Sequence, residues 1–315
     1  MLPDQKETDM ENDDHVAVLQ GGGFLSSQTM GHAVATMSNS DFERLSRSIF
    51  DHCGIRLPPA KKTMLEGRLR KRLSALGMKS FAEYCDYLFD PKRIGDEYIQ
   101  MLDAVTTNKT DFFREPDHFR YLLHRVLPEL VSSQSLGVRR QLNVWSAGCS
   151  SGEEAYTLAM VLSEFAEKSP GFLFSVIGTD ISTKVLSKAV AGIYDHDKVD
   201  PIPMELRKKY LLRSKSQNGE LVRIAPELRA TVRFARLNLM AEDYGLREQI
   251  AIVFCRNVII YFDRPTQAKL VGRLSRQLIP GGYLFMGHSE SLHGMDIPLI
   301  QVAATIYKKT PDELP

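Results

Sequence analysis

The chain has 315 residues, of which 43% are hydrophobic, 9% aromatic and 25% charged. This length and composition favour two domains, or one large domain with a smaller companion, and allow a sizeable core. The formal net charge of +1 at pH 7 excludes a global attraction to nucleic acid or to a membrane surface, so a charged partner would have to meet a local patch.

Residues 1–36 begin acidic and become rich in Gly and Ser, without periodicity, which predicts a flexible N-terminal extension. The start MLPDQKETDMENDD lacks the regions of a secretory signal, and no run approaches the roughly 18 apolar residues of a membrane span. Four widely spaced cysteines without a C-x-x-C pair suit a reducing compartment. We therefore expect a soluble, cytoplasmic protein, with no nucleic-acid partner and no direct membrane insertion, and a monomer by default.

Order is expected to begin near SNSDFERLSRSIF, where Ser40 and Glu43 have the spacing of a capping box and Phe42, Leu45 and Ile49 repeat at helical intervals. Further helical patterns follow in PAKKTMLEGRLRKRLSALGM, FAEYCDYLF and GDEYIQMLDAVTT. Residues 37–106 are therefore predicted to form an all-helical N-terminal domain.

The second of these helices has a basic flank beside a stripe of leucines. At about 100° per residue, the leucines share one face and four basic residues fall on the adjacent arc. These are Lys61, Arg68, Lys71 and Arg72. One interpretation is a solvated face with snorkelling side chains, and the other is a docking surface for an acidic partner.

Residues 107–133 are predicted to form a linker and a connecting helix, because Pro116 suits a first helical turn and helical spacing continues to about Val131. Within residues 134–315, short apolar runs such as LNVWSA and IAIVFC alternate with amphipathic stretches. This alternation predicts right-handed βαβ units and a mostly parallel sheet covered on both faces. An interval at about 193–237, with a turn at Gly219, breaks the alternation and predicts a small antiparallel insertion.

Polar and glycine residues stand where four of the predicted strands end. Ligands of such sheets bind outside the carboxyl ends of the strands. The glycine turn SAGCSSGEEAY, Asp180, Asn238 and the pair Arg256 and Asn257 are therefore expected to share one crevice. The turn lacks the G-x-G-x-x-G spacing of a dinucleotide fingerprint, and its glycines are also open to a purely structural interpretation.

Asp180 is placed to accept hydrogen bonds from ribose hydroxyls, although a helix N-cap role toward the backbone at Thr183 is the alternative. A glycine turn without a phosphate cradle, together with a ribose-binding acid, favours a nucleoside ligand that lacks phosphates. S-adenosylmethionine is the common ligand of this kind. Glu154, near a helix N-terminus, would then hold the amino group of that cofactor.

Five stretches, in order along the chain, resemble the motifs of the chemotaxis receptor glutamate methyltransferases, the CheR family. They are TTNKTDFFRE, VWSAGCSSGEEAYTLA, GTDISTKVLSKAVAGIY, FCRNVIIYFD and GGYLFMGHSESL. The resemblance covers residues 40–310 and implies an α/β fold: an N-terminal all-helical domain plus a class I S-adenosylmethionine-dependent methyltransferase (Rossmann-like) domain with a small antiparallel β-subdomain insertion. Ala155 and Thr157 depart from it, because the family commonly has proline and serine there.

The resemblance implies methyl transfer from S-adenosylmethionine to glutamate carboxylates of methyl-accepting chemotaxis receptors, with S-adenosylhomocysteine as the second product. It implies that Arg114 and Tyr261 are catalytic. The cofactor-binding residues that it implies are Asn108, Thr110, Arg114, Glu154, Asp180, Asn238, Leu239, Arg256 and Asn257. In this context the basic flank is interpreted as a docking surface for the cytoplasmic domain of a receptor. A second contact, of a receptor C-terminal pentapeptide tether with the β-subdomain, is left open.

Two other functions are left open. An NAD-dependent oxidoreductase shares the α/β pattern and an acid after the second strand, but the absent dinucleotide fingerprint disfavours it. A non-catalytic module that binds receptors or senses the cofactor is the second. For His288, no second ligand lies at zinc spacing, so a structural role is expected and no metal is predicted.

Overall fold

In the computed structural model, which describes residues 36–91, 95–213 and 220–310, the N-terminal region forms four α-helices. They are α1 (Asn39–Cys53), α2 (Lys62–Leu76), α3 (Phe81–Leu88) and α4 (Asp96–Val105), with a 3-10 turn at Pro59–Lys61. Their apolar faces enclose one core, in which Leu65, Leu69 and Leu73 of the predicted stripe are buried. The predicted flexible extension lies outside the described residues, except for its last residue.

The first helix begins two residues earlier than its sequence indicates. Ser38, not Ser40, is the N-cap, and its hydroxyl accepts a hydrogen bond from the Asp41 amide at 3.0 Å. Asp41, not Glu43, completes the capping box. The predicted box was wrong because two Ser-x-x-acid patterns overlap here. Burial of Met37 selects the earlier one, since an apolar residue before the cap belongs in the core.

The remaining helices surround a β-rich region. They are α5 (Pro116–Tyr121), α6 (Leu127–Gln134), α7 (Glu153–Glu167), α8 (Thr183–Ala191), α9 (Met204–Tyr210), α10 (Pro226–Arg229) and α11 (Arg264–Gln277). The connecting helix begins at Pro116 as predicted, and a π-helical turn at Leu122–Val126 joins α5 to α6. Pro128 follows that turn, and a proline cannot donate to the regular helical ladder.

The strands form two sheets. They are β1 (Leu142–Ala147), β2 (Phe174–Asp180), β3 (Ile193–Asp195), β4 (Leu211–Arg213), β5 (Leu221–Ile224), β6 (Val232–Arg236), β7 (Ile250–Cys255), β8 (Leu278–Met286), β9 (Leu299–Ala303) and β10 (Ile306–Lys309). The large sheet has the order β6-β2-β1-β7-β8-β10-β9. Its first five strands run parallel, and β10 and β9 pair antiparallel at the far edge.

The small sheet has the order β3-β5-β4 and is antiparallel. The insertion predicted at about 193–237 therefore extended too far, because β6 pairs in parallel with β2 in the large sheet. As an edge strand, β6 is partly exposed, and its sequence alternates as an antiparallel strand would. The predicted turn at Gly219 lies outside the described residues.

The topology places a crevice beside β1. The chain builds β2 and β6 on one side of β1 and then crosses to β7 on the other side, so the strand order reverses between β1 and β7. All six residues of β7 are buried, as expected for a strand covered on both faces. Within residues 36–91, 95–213 and 220–310, none of the helices combines the length and the apolar character that a membrane span requires.

Candidate active site

The turn after β1 forms the floor of the crevice. Gly148 and Gly152 have positive φ angles of 82° and 96°, and the Gly148 amide donates to the Thr179 carbonyl at the end of β2. A Cβ atom on Gly148 would lie 2.6 Å from a methyl group of Val258. The turn therefore needs glycine both for its backbone conformation and for its close approach to the loop after β7.

Asp180 joins the ends of β1 and β2. Its carboxylate accepts hydrogen bonds from the Ser150 and Ser182 amides, each at 2.9 Å. Burial raises the pKa of the Asp180 carboxyl, while these backbone donors act to lower it. The alternative N-cap role does not hold, because Ser182 caps α8 through the Val185 amide. Each carboxylate oxygen has about two acceptor positions, so both can accept a further donor from the crevice.

Arg256 forms hydrogen bonds to several groups around the crevice, and its side chain is only 2% exposed. Its Nε donates to Glu154 at 2.7 Å, and Ser146 donates to the other Glu154 oxygen at 2.6 Å. Its Nη1 lies 2.7 Å from the Arg114 carbonyl oxygen. The guanidinium also lies over the ring of Phe119. A buried charge of this kind is tolerated because it is paired and hydrogen-bonded.

Glu290 organises the loop after β7, and the sequence interpretation missed it. Its buried carboxylate accepts from the amides of Gly287 at 2.6 Å, Asn257 at 2.8 Å and Ile259 at 2.9 Å. Asn257 has a φ of 59°, in the left-handed region. Burial raises the pKa of Glu290, and the three amide donors oppose that rise. The sequence did contain a signal for this residue, because Glu290 is an acidic residue that closely follows the apolar strand β8 and Gly287.

The α1–α2 loop closes one side of the crevice. The Arg56 amide donates to the Tyr261 carbonyl at 3.0 Å, and the Asn238 side chain donates to the His52 carbonyl at 2.6 Å. A Cβ atom on Gly54 would lie 2.7 Å from the Met240 sulfur. The helical region is thus bonded directly to the loops that follow β6 and β7.

Together these elements enclose a cavity of about 360 Å³. The structure brings into its lining all of the residues that the resemblance assigns to the cofactor and to catalysis: Asn108, Thr110, Arg114, Glu154, Asp180, Asn238, Leu239, Arg256, Asn257 and Tyr261. The volume is in the range of small-molecule sites. Two carboxylates lie deep in the cavity, whereas Arg56, Lys61, Arg68 and Lys109 also contribute to its lining, so it can accept both a cationic ligand group and an anionic substrate.

The four residues of the predicted docking surface have different environments. Lys61 and Arg68 line the cavity, and Arg68 donates to the Val105 carbonyl and the Thr107 hydroxyl. Arg72 instead forms an ion pair with the buried Glu97. Lys71 is exposed and, in the described part of the chain, does not line the cavity.

His288 has neighbours that its sequence context did not reveal. Ligand atoms of Glu115, His118 and His288 lie within 4.8 Å of one another. The fold thus supplies neighbours that no zinc spacing in the sequence indicates. However, Arg256 Nη1 lies 3.1 Å from His118 Nδ1 and 3.3 Å from the Glu115 carboxylate, so a guanidinium already supplies the positive charge there. A metal ion would be repelled by it.

A larger but shallower depression, of about 590 Å³, lies on the helical region. Its lining includes Arg44, which is paired with Asp86, and Ser48, which is bonded to Tyr98. None of the residues that line it belongs to a strand end of the large sheet. The cavity at the strand ends is therefore the better candidate for a ligand site.

Comparison with protein families identifies both regions. Residues 40–106 match the model described as "CheR methyltransferase, all-alpha domain", and residues 108–308 match "CheR methyltransferase, SAM binding domain". The fold class expected from the sequence is thereby confirmed. The cavity fits S-adenosylmethionine, because Asp180 and Glu154 present carboxylate oxygens to it that can accept further hydrogen bonds.

Relatives are similar over most of the chain. A chemotaxis protein methyltransferase of Borreliella burgdorferi is 36% identical over 87% of this chain and 95% of its own length. That of Escherichia coli is 35% identical over 88% and 93%. Among solved structures, the carbon methyltransferase DszA is 15% identical over 81% of this chain and 53% of its own, with a TM-score of 0.35, which is too low to support a functional conclusion. On the family matches and these relatives, the chain belongs to the CheR methyltransferase family and uses S-adenosylmethionine as its cofactor.

Proposed function

We propose that this protein methylates glutamate side chains in the cytoplasmic domain of chemotaxis receptors and produces glutamate methyl esters. The observation that carries the proposal is the convergence of Arg114, Tyr261, Glu154 and Asp180 on one cavity at the strand ends. The relatives are named chemotaxis protein methyltransferases, and these names support this class of substrate. The four free, buried cysteines support the proposed cytoplasmic setting.

The proposed division of labour follows from the lining of the cavity. When bound, S-adenosylmethionine supplies an electrophilic methyl group. Asp180 is proposed to accept from the ribose hydroxyls and Glu154 from the amino group. Asn238 and Leu239 are proposed to lie along the adenosine, and Asn108 to contact the cofactor from the linker. Arg256 and Asn257 hold the cofactor side of the cavity.

The substrate side needs orientation more than proton transfer. A glutamate, with an ordinary pKa of about 4.3, is already an anionic nucleophile at neutral pH, so no general base is required. Arg114 donates to the Lys109 carbonyl at 3.2 Å, and its guanidinium has further donors for an incoming carboxylate. We assign Arg114 to orienting that carboxylate and Tyr261 to fixing the geometry near the methyl group.

The proposed receptor-docking surface consists of Lys61, Arg68 and Lys71. Arg68 donates to neutral acceptors, so its charge is not neutralised by them and can attract an acidic helix. Arg72 is proposed to act indirectly, because Glu97 neutralises its charge. Arg72 therefore stabilises α2, the helix that carries Arg68 and Lys71.

A second receptor contact on the small sheet is part of the proposal. Ile193 and Leu212 are both exposed and flank Arg223 in the same row of the sheet. β3 and β4 are edge strands, and an extended peptide can add to such an edge. This supports, as a proposal, the docking of a receptor tail on this face.

The first experiment is calorimetric titration with S-adenosylhomocysteine. We expect one-to-one binding that is lost in Asp180→Ala and retained in Asp195→Ala, whose side chain is exposed on the small sheet. Binding by the Asp180 variant with unchanged affinity would remove Asp180 from the cofactor site.

The second experiment measures transfer of labelled methyl groups to a receptor cytoplasmic fragment, compared with the same fragment carrying Gln at the methylated positions. We expect base-labile label on the Glu fragment alone. Arg114→Ala should lower turnover on the order of a hundredfold, whereas Arg125→Ala, on the exposed side of the connecting helix, should not. Binding of S-adenosylhomocysteine without transfer to any receptor fragment would favour the non-catalytic module instead.

A further inference from the structure

A chain of hydrogen bonds links the β9–β10 hairpin to the cofactor cavity. His118 Nε2 lies 3.0 Å from the Thr305 hydroxyl, and His118 Nδ1 lies 3.1 Å from Arg256 Nη1. Arg256 Nε in turn lies 2.7 Å from Glu154. His118 is buried, and its ring meets Phe285 edge-on. The linker, the hairpin and the end of β7 are therefore connected through one imidazole.

The Arg256 and Thr305 contacts together favour one tautomer of the His118 ring. A guanidinium can only donate, so His118 Nδ1 must accept. His118 Nε2 then carries the hydrogen and donates to the Thr305 hydroxyl, whose own hydrogen is directed to the Ala304 carbonyl at 2.8 Å. The Arg256 contact requires a neutral His118, because a proton on Nδ1 would face the Arg256 donor and would instead be directed to the Glu115 carboxylate, 3.4 Å away.

The surroundings of His118 favour that neutral form. Three charged or titratable groups face it: Arg256 from the end of β7, Glu115 from the linker at 3.4 Å, and His288 from the loop after β8, with ring centroids 5.2 Å apart. Burial and the Arg256 charge lower the pKa of His118 to about 4, against the opposing effect of Glu115. The ring is thus an uncharged acceptor at neutral pH.

Arg256 connects this acceptor to two parts of the cavity. It bonds Glu154, which is assigned to the amino group of the cofactor, and the carbonyl of Arg114, which fixes the linker backbone. We propose that His118 is a positioning residue for cofactor binding, whose Nδ1 lone pair holds the Arg256 guanidinium so that Glu154 and the Arg114 backbone keep their places. The inference depends on cofactor binding and not on the proposed receptor substrate.

The test is calorimetric titration of the full chain with S-adenosylhomocysteine at pH 7.5. His118→Asn keeps an acceptor oxygen near the position of Nδ1, whereas His118→Phe keeps the ring and removes the acceptor. We expect the Phe variant to bind about tenfold more weakly, a loss of about 1.4 kcal/mol, and the Asn variant to stay within about threefold of the unaltered protein. Equal affinity of the Phe variant and the unaltered protein, or equal losses in both variants, would overturn the proposal.

A second pair of variants keeps the test decisive if a His118 variant fails to fold. Thr305 does not belong to the described lining of the cavity, and its hydroxyl is bonded to His118, so we expect its side chain to affect affinity through that ring. Thr305→Val should weaken binding, and Thr305→Ser, which retains the hydroxyl, should not. Nitrogen NMR of the His118 ring should show a protonated Nε2 and a bare Nδ1 from pH 6 to 8. The opposite tautomer, or a Thr305→Val protein with unchanged affinity, would contradict the proposal.

Discussion

The carboxylate of Glu290 accepts the Asn257 amide at 2.8 Å and thereby holds the loop after β7 against the loop after β8. Asn257 adopts a left-handed conformation and lies between Arg256 and the turn that carries Tyr261. Two neighbouring strands thus present their polar ends in a fixed arrangement, because one buried acid satisfies the backbone donors of both loops.

Glu290→Gln should destabilise the protein by about 1–3 kcal/mol, because an amide has only one acceptor oxygen and a buried backbone donor would lose its partner. The free energy of unfolding from denaturant titration measures this loss. Glu227→Gln, at an exposed position of α10, is the matched control and should change stability by less than about 0.5 kcal/mol. Equal effects of the two substitutions would show that the Glu290 contacts contribute nothing measurable.

Gly148→Ala should cost more stability than Gly245→Ala. Both glycines have positive φ angles, of 82° and 61°, so each substitution carries backbone strain of about 1–2 kcal/mol. Only at Gly148 would the added carbon also lie 2.6 Å from Val258, whereas nothing lies within 4 Å at Gly245. The difference between the free energies of unfolding of the two variants measures the cost of the contact with Val258. A difference near zero would mean that Val258 moves aside freely.

Arg72→Ala should destabilise the helical region by about 1–2 kcal/mol, because the buried Glu97 would keep only its bond from Tyr84. Lys71→Ala, one residue earlier and exposed, should leave thermal stability unchanged but weaken methylation of a receptor fragment. Thermal melting and the methylation assay separate the two roles. A stable Arg72→Ala protein with weakened receptor methylation would instead return Arg72 to the docking surface.

The pKa of about 4 for His118 predicts a pH-dependent stability difference between the unaltered protein and His118→Asn. Between that value and the ordinary histidine pKa of about 6.5, the unfolded chain binds more protons at this site than the folded one. The stability of the unaltered protein relative to the variant should therefore be constant above about pH 6.5 and fall as the pH is lowered toward 4. Denaturant titrations at several pH values measure this difference, in which the other titrating groups cancel. A flat difference would mean that His118 protonates equally easily in both states.

Local sequence patterns predicted the helical N-terminal region and the alternating strands and helices that follow it. The burial of the leucine stripe of α2 and of the apolar strand β7 could be predicted from their sequences alone, because side-chain periodicity follows from the geometry of a single helix or strand. Asp180 could likewise be placed at the crevice, because the carboxyl ends of parallel strands meet at one edge of a sheet. Four of the five family motifs lie at strand ends for the same reason, whereas TTNKTDFFRE lies in the linker between α4 and α5.

The partners of the polar residues were decided only by the tertiary structure. Arg256 meets His118 across 138 positions of sequence, and Glu290 meets Asn257 across 33. No periodicity relates such residues, because their proximity depends on the strand order and on the path of the linker. The same reason explains why β6 was assigned to the wrong sheet and why the pairing of Arg72 with Glu97 was not foreseen. The sequence by itself determined that polar side chains stand at the strand ends. The packing of distant segments decided which of these side chains pair with one another and how each is oriented.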